Sequence, residues 1–249
     1  MTVLVLGGTA EARELAVLLT EAGVAFTSSL AGRVARPRLP VGEVRIGGFG
    51  GAEGLAAYLG EAGIAAVVDA THPFANGISA NAATVCARTG VPLLRLERAG
   101  WSSAPYASGW HWVADHDEAA RVTATLGTRP LLTVGRQSLG AFTGPLREAV
   151  VTARVVDEPD LDLPPTWRVL LSRGPYEIEA EKELLAGCDV LVTKDSGGTW
   201  TWPKMQAAAD LGVAVVIVQR APAAAGVETV GDAGAAAAWV AAGARRLRA

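Results

Sequence analysis

A glycine pair and a hydroxyl residue, Gly7-Gly8-Thr9, stand between the apolar run Val3 to Leu6 and a helical pattern. With Ala12, they make Gly7-x-Thr9-x-x-Ala12, a variant of the dinucleotide fingerprint in which Thr replaces the second glycine. Such a strand-to-helix turn offers backbone N–H groups and the positive end of a helix dipole to a phosphate. A phosphate would sit against the backbone N–H groups of this turn at the start of the helix. An NAD site usually carries Asp or Glu about 20 residues further on. Here that position reads Ser28-Ser29, followed by Arg33, Arg36 and Arg38. Hydroxyls and guanidinium groups suit a 2′-phosphate, because arginine pairs with phosphate bidentately. The spacing thus points to NADP(H), with Ser28, Ser29 and the arginines Arg33, Arg36 and Arg38 as the candidate 2′-phosphate groups. Thr71, His72 and Pro73, at the tip of the run "VVDATHPFA", belong to a loop expected beside that turn.

The second half concentrates cations at strand ends. Arg136 follows "LLTVG", Arg173 and Gly174 follow "WRVLLS", and "TKDSGGTWTWPK" supplies Lys194, Asp195, Ser196, Gly197, Gly198 and Lys204. Consecutive N–H groups in such a turn form an anion-binding concavity. Asp-Ser-Gly-Gly is also an ordinary turn sequence. These groups suit a small molecule bearing carboxylates. There is neither a nucleophile elbow nor a P-loop, which weakens hydrolase and kinase readings. His72, His111 and His116 have no metal-ligand spacing, and no metal site is expected.

The elements needed to hold these groups alternate along the chain. Strand patterns are read at Thr2 to Leu6, Ala25 to Leu30, Val41 to Ile46, "IAAVVDA" and "VPLLRLE", with helices between them. After Glu97 a looser stretch containing Trp101, Trp110 and Trp112 precedes a helix at Asp117 to Leu126, read as a crossover. Alternation then resumes to an Ala-rich terminal helix. This grammar gives right-handed βαβ units. The expected architecture is α/β: two Rossmann-like lobes with mainly parallel sheets and a ligand cleft between them. The boundaries are residues 1–128 for the NADP(H) lobe with its crossover and 129–249 for the substrate lobe. An internal echo supports two similar lobes. "VVDATHPF…ANAATVCARTGVPLLRL" and "VLVTKDSGG…KMQAAADLGVAVVIV" both run strand, polar loop, helix, Gly-Val, strand.

Composition agrees. The 249 residues are 50% hydrophobic and only 6% aromatic, which favours an aliphatic core of the parallel-sheet kind. A net charge of −3 gives no general attraction to nucleic acid or to an anionic membrane. No apolar run reaches the roughly 20 residues that span a bilayer. Cys86 and Cys188 lie within or beside apolar helical stretches and read as buried free thiols. A cytoplasmic monomer without nucleic-acid or membrane partners is the expectation.

Beyond these readings, the chain resembles the precorrin-6A and cobalt-precorrin-6A reductases of cobalamin biosynthesis. The matching segments are "GGTAEARELA", "LAGRVA", "GGFGGAEGLAAYL", "VVDATHPFA", "ISANAA", "VPLLRLER", "SRGPY" and "TKDSGG", in family order from residue 6 to about 198. The joint presence of "DATHPFA" and "KDSGG" is more specific than the glycine turn. The resemblance implies NADPH as cofactor and reduction of one double bond of the precorrin-6A tetrapyrrole to give precorrin-6B. It places Gly7, Gly8, Thr9, Ala10 and Glu11 at the pyrophosphate, Arg33 at the 2′-phosphate, Thr71, His72 and Pro73 toward the nicotinamide and Lys194 to Gly198 toward the substrate. Asp195 becomes a candidate proton donor or water holder, although the family commonly has Asn there. Pro203 is a second departure, where a small residue is usual. Two other readings compete: the cobalt-containing substrate of the anaerobic branch, and a non-catalytic NADP(H) sensor. A sensor leaves the cations of the second half without a purpose. A nucleotide-sugar transferase would need an acidic site that the second strand's tip lacks.

Overall fold

In the computed structural model, residues 2–32 and 37–246 are described. The chain divides into two compact units, Met1–Ala99 with Ala221–Ala249, and Gly100–Arg220.

The first unit begins with β1 (Thr2–Leu6), α1 (Ala10–Glu21), β2 (Ala25–Leu30) and β3 (Glu43–Ile46). It continues with α2 (Ala52–Glu61), β4 (Ile64–Asp69), α3 (Asn76–Thr89) and β5 (Leu93–Leu96). The second unit contains β6 (His111–Val113), α4 (His116–Leu126), β7 (Pro130–Leu132), α5 (Gly140–Thr143), β8 (Thr152–Val155) and β9 (Arg168–Leu171). It ends with α6 (Ile178–Leu185), β10 (Val190–Lys194), α7 (Pro203–Leu211) and β11 (Ala214–Val218). The chain then returns to the first unit for β12 (Glu228–Val230) and α8 (Ala233–Arg246).

The first sheet has the order β12-β5-β4-β1-β2-β3 and the second β6-β11-β10-β7-β8-β9, with every pairing parallel. Matching β7 to β1 gives both sheets one order, and the sixth position is the exception in chain sequence. β6, which follows β5, completes the second sheet, whereas β12, which follows β11, completes the first. The two segments of the internal echo occupy the fourth and fifth strand positions of their respective sheets, as β4-α3-β5 and β10-α7-β11.

This exchange corrects the expected boundary at 128/129. The stretch read as a crossover holds β6, which pairs with β11, and α4, which packs on β10 and β11. The terminal helix lies beside α1 rather than in the second unit. β6 and β12 are three residues each, too short for a period-two pattern to stand out from loop.

Strand alternation builds the core of the first unit on both faces of its sheet. Val3 and Val5 face Leu15, Leu19, Ala236 and Val240 of α1 and α8, while Leu4 and Leu6 face Leu55, Leu59 and Val85 of α2 and α3. Each fully buried Leu or Val contributes about 1.5–3 kcal/mol. In the second unit, Leu131, Leu191 and Ile217 pack under Leu185 of α6 and Met205 and Ala208 of α7, with Trp101 and Trp110 in the same cluster. Trp101 and Trp110 of the loose stretch are thus core residues, with Trp112 partly buried against them.

Candidate functional site

In an open parallel sheet, ligands bind beyond the carboxyl ends of the strands where strand order reverses. The first sheet reverses between β1 and β4, the second between β7 and β10. Those four strand ends carry Gly7 to Glu11, Asp69 to Pro73, Thr133 to Arg136 and Lys194 to Gly198.

The turn after β1 is held from three sides. Gly7 N–H donates to Ser29 O at 2.9 Å, and Ala70 N–H donates to Leu6 O at 2.9 Å. The Thr9 hydroxyl donates to Ala70 O at 2.8 Å and accepts from Ala12 N–H at 3.1 Å, as the N-cap of α1. Thr9 is therefore committed to capping and to joining two loops, and only its backbone faces a ligand. Gly8 is exposed at φ +118°, and a Cβ there would meet nothing within 4 Å. The other first-turn N–H groups of α1 have no partner inside the helix. This open glycine and helix N-terminus fit a dinucleotide pyrophosphate. Glu11 would repel that anion but is paired with Arg98 at 2.7 Å. The pair sets an arginine beside the helix start, a residue the sequence reading missed.

Around the β4 end, Asp69, Thr71 and Arg95 form a buried network. Arg95 Nη1 reaches Asp69 Oδ2 at 2.8 Å and Thr71 Oγ1 at 3.1 Å, and its Nη2 reaches Glu97 at 2.7 Å. Thr71 also donates to Asp69 Oδ1 at 2.7 Å. The Thr71 side chain thus shapes the loop rather than facing a ligand. His72 Nδ1 accepts from Phe74 N–H at 3.2 Å, and Pro73 is buried.

Ser28 and Ser29 take different roles. Ser28 is buried, and its Oγ has no hydrogen-bond partner among the described residues. Ser29 Oγ accepts from Arg45 Nη1 at 2.8 Å. Arg33 and Arg36 lie outside the described residues. Arg45 went unnoticed because it lies within the short next strand, with "GG" and an aromatic after it as its only signal.

In the second unit, Lys194 ends β10, and its Nζ lies 3.7 Å from where a Cβ on Gly135 would stand. Burial lowers this ammonium to about 8. His116, at the start of α4, is lowered by burial and then by the Lys194 charge, against the raising effect of Asp115 and Asp117. Arg136 donates to Glu158 O at 3.2 Å and is half-buried, whereas Arg173 is exposed. Gly174 sits under the Tyr176 ring, and the Gly174–Pro175 peptide is cis.

Asp195 is placed against its expected proton-transfer role. It is buried, accepts from Trp101 N–H at 2.8 Å and faces Arg220 Nε at 3.3 Å, with that Nε donating to the Asp195 carbonyl at 2.7 Å. A Cβ on Gly100 would fall 2.4 Å from Oδ2. These contacts use both carboxylate oxygens on neighbouring groups. Ser196 is buried and turns back on Lys194 O, and Gly197 and Gly198 are both left-handed. Lys204 is also corrected from substrate cation to internal packing. It is 4% exposed, donates to Thr201 O at 3.0 Å and lies 5.0 Å from the Trp101 ring centre. Among the described residues no cluster of His, Cys, Asp and Glu could hold a metal, and no helix is long and apolar enough to cross a membrane.

Comparison with known proteins places this arrangement. Residues 2–241 match the family described as precorrin-6x reductase CbiJ/CobK. A precorrin-6A reductase of Rhodococcus erythropolis is 48% identical over 241 residues, covering 96% of each chain. One of Mycobacterium tuberculosis is 49% identical over 244 residues, covering 96% of this chain and 97% of that one. The solved structure of "CobK precorrin-6A reductase" superposes with a TM-score of 0.87 at 37% identity, covering 98% of this chain and 97% of that one. Sequence and fold agree over nearly the whole chain, which belongs to the precorrin-6x reductase CbiJ/CobK family.

Proposed function

We propose that this chain reduces one double bond of the precorrin-6A macrocycle, with NADPH as reductant, to give precorrin-6B. The observation that carries the reading is family membership over residues 2–241 together with a dinucleotide-type turn at the first switch point. The first unit would hold the cofactor through Gly8, the first-turn N–H groups of α1 and Arg98. The second would hold the macrocycle's acetate and propionate groups through Lys194, Arg136 and the N–H groups of Gly197 and Gly198.

When bound, NADPH supplies a hydride to an electrophilic carbon conjugated with a ring nitrogen. The neighbouring carbon needs a proton. Asp195 is committed as an acceptor, and Lys194 is the titratable group at that strand end whose affinity for a proton is tuned near neutrality. A general acid works best when it titrates near the operating pH. In this account Lys194 Nζ holds the proton and gives it up as the hydride arrives, so that NADPH and one proton are consumed per double bond.

Purified protein with NADPH and precorrin-6A should oxidise the nicotinamide in equal measure with a shift of the tetrapyrrole spectrum. Cobalt-precorrin-6A run in parallel assigns the branch. Nucleotide binding without turnover of either macrocycle would leave the sensor reading in its place.

A further inference from the structure

The edge of the first sheet presents an arginine that the cofactor turn does not explain. Arg45, on β3, is registered beside Ser29 of β2, and Ser29 is registered beside Leu6, the last residue of β1. Arg45 is thus level with the start of the glycine turn and two strands away, roughly 10 Å at the usual strand spacing. Its guanidinium is fixed in place. Nη1 donates to Ser29 Oγ at 2.8 Å and Gly47 O at 3.1 Å, and Nη2 donates to Gly48 O at 3.2 Å. Its Cζ sits 3.9 Å from the Phe49 ring centre and 5.0 Å from that of Tyr58.

Two features separate this arginine from an ordinary edge-strand side chain. The guanidinium has five N–H donors. Three are used, and no further acceptor is found among the described residues for Nε–H or the second Nη2–H. It also has no carboxylate partner among the described residues, whereas Arg88, Arg95 and Arg98 of the same unit are each paired with an acid.

We propose that Arg45, seated on Phe49 and Tyr58 and aligned by Ser29, is the anchor for the 2′-phosphate of NADP(H). The inference rests on the NADPH reading above and names the residue that sets its preference over NADH. The register explains the choice. A nucleotide whose pyrophosphate lies on the β1 turn extends its adenosine ribose toward the end of β2. There an NAD enzyme offers a carboxylate, and this chain offers Ser29 with a fixed guanidinium behind it.

Calorimetry on the full chain with adenosine 2′,5′-bisphosphate and 5′-AMP as probes separates the 2′-phosphate from the rest of the cofactor. The wild-type chain should bind the bisphosphate at least about tenfold more tightly, the scale of one charged hydrogen-bonded contact. Arg45→Ala should abolish the difference. Arg45→Gln, which preserves length and a hydrogen-bonding head without charge, should do the same and guards against loss of the fold, followed by circular dichroism. Arg45→Lys should recover part of the preference. A preference that survives in Arg45→Ala and Arg45→Gln overturns the assignment and leaves the NADPH reading intact. A wild-type chain that binds both probes equally overturns the assignment and the NADPH reading together.

Discussion

Trp101 N–H donates to Asp195 Oδ1 at 2.8 Å, joining the first residues of the second unit to the loop after β10. Arg220, the last residue of that unit, closes on the same aspartate. One buried carboxylate thereby fastens both ends of the unit's chain beside the strand end that carries Lys194.

That geometry makes Asp195 a structural group. Asp195→Ala removes the acceptor of the Trp101 N–H and the carboxylate facing Arg220, and should cost about 3–5 kcal/mol, the scale for breaking a buried ion pair. Asp195→Asn retains an oxygen for Trp101 N–H and should cost less. Its turnover should not show the 10²-fold or larger loss expected when a general acid is removed. Thermal denaturation and steady-state rates on both variants check this. An Asp195→Asn enzyme that folds normally and loses turnover on that scale would restore the acid role.

Lys194 should govern the pH profile. Its ammonium titrates at about 8 because burial disfavours the charge, so turnover should fall as pH rises through that value. The stability effect has the opposite sign. The unfolded chain holds this proton up to its ordinary value of 10.5, so folding gains stability between about 8 and 10.5 as the buried charge is lost. Lys194→Met should remove that gain and reduce turnover by about 10²–10⁴-fold. Lys194→Arg keeps a cation that does not release its proton, and should bind the macrocycle yet turn it over slowly.

Arg154 and Glu181 form a buried pair between β8 and α6, with the Tyr176 ring 4.1 Å from the Arg154 Cζ. Tyr176 in turn donates from its hydroxyl to Ser172 O at 3.3 Å, beside Arg173. Arg154→Ala should therefore destabilise by about 3–5 kcal/mol. The double variant Arg154→Met with Glu181→Leu should recover most of that loss, because no unpaired charge remains. Chemical denaturation of the three proteins measures the difference.

Thr9 makes a capping bond and a bond to Ala70 O. Thr9→Val should cost about 1–2 kcal/mol. It should also weaken nucleotide binding, since the turn loses its tie to the β4 loop. Denaturation midpoints and NADP⁺ titration check the two effects separately.

The long aliphatic strands and their helices were legible, because buried parallel strands read as continuous Val, Leu and Ile runs bounded by glycine turns. The exchange of β6 and β12 was not, since three-residue edge strands carry no period and partner choice is a long-range property. At the site, the glycine turn and the Lys194 strand end were readable from residue types at strand tips. The use of each side chain was not. Thr9, Thr71 and Asp195 have polar side chains that the sequence offers equally to a ligand and to the protein, and the fold spends them on neighbouring backbone and arginine groups. Arg45 and Arg98 stayed hidden because their meaning depends on Ser29 and Glu11, which are 16 and 87 residues away.

Hydride transfer from NADPH to the macrocycle is the step proposed for this chain. It is tested by single-turnover reaction of the wild-type enzyme with NADPH deuterated at both transferring positions of the nicotinamide, followed by mass spectrometry of the tetrapyrrole. Each reduced macrocycle should carry one deuterium, at carbon and resistant to exchange with water. NADPH bound with no mass change in the macrocycle, or a reduced product carrying only solvent hydrogen, would contradict it.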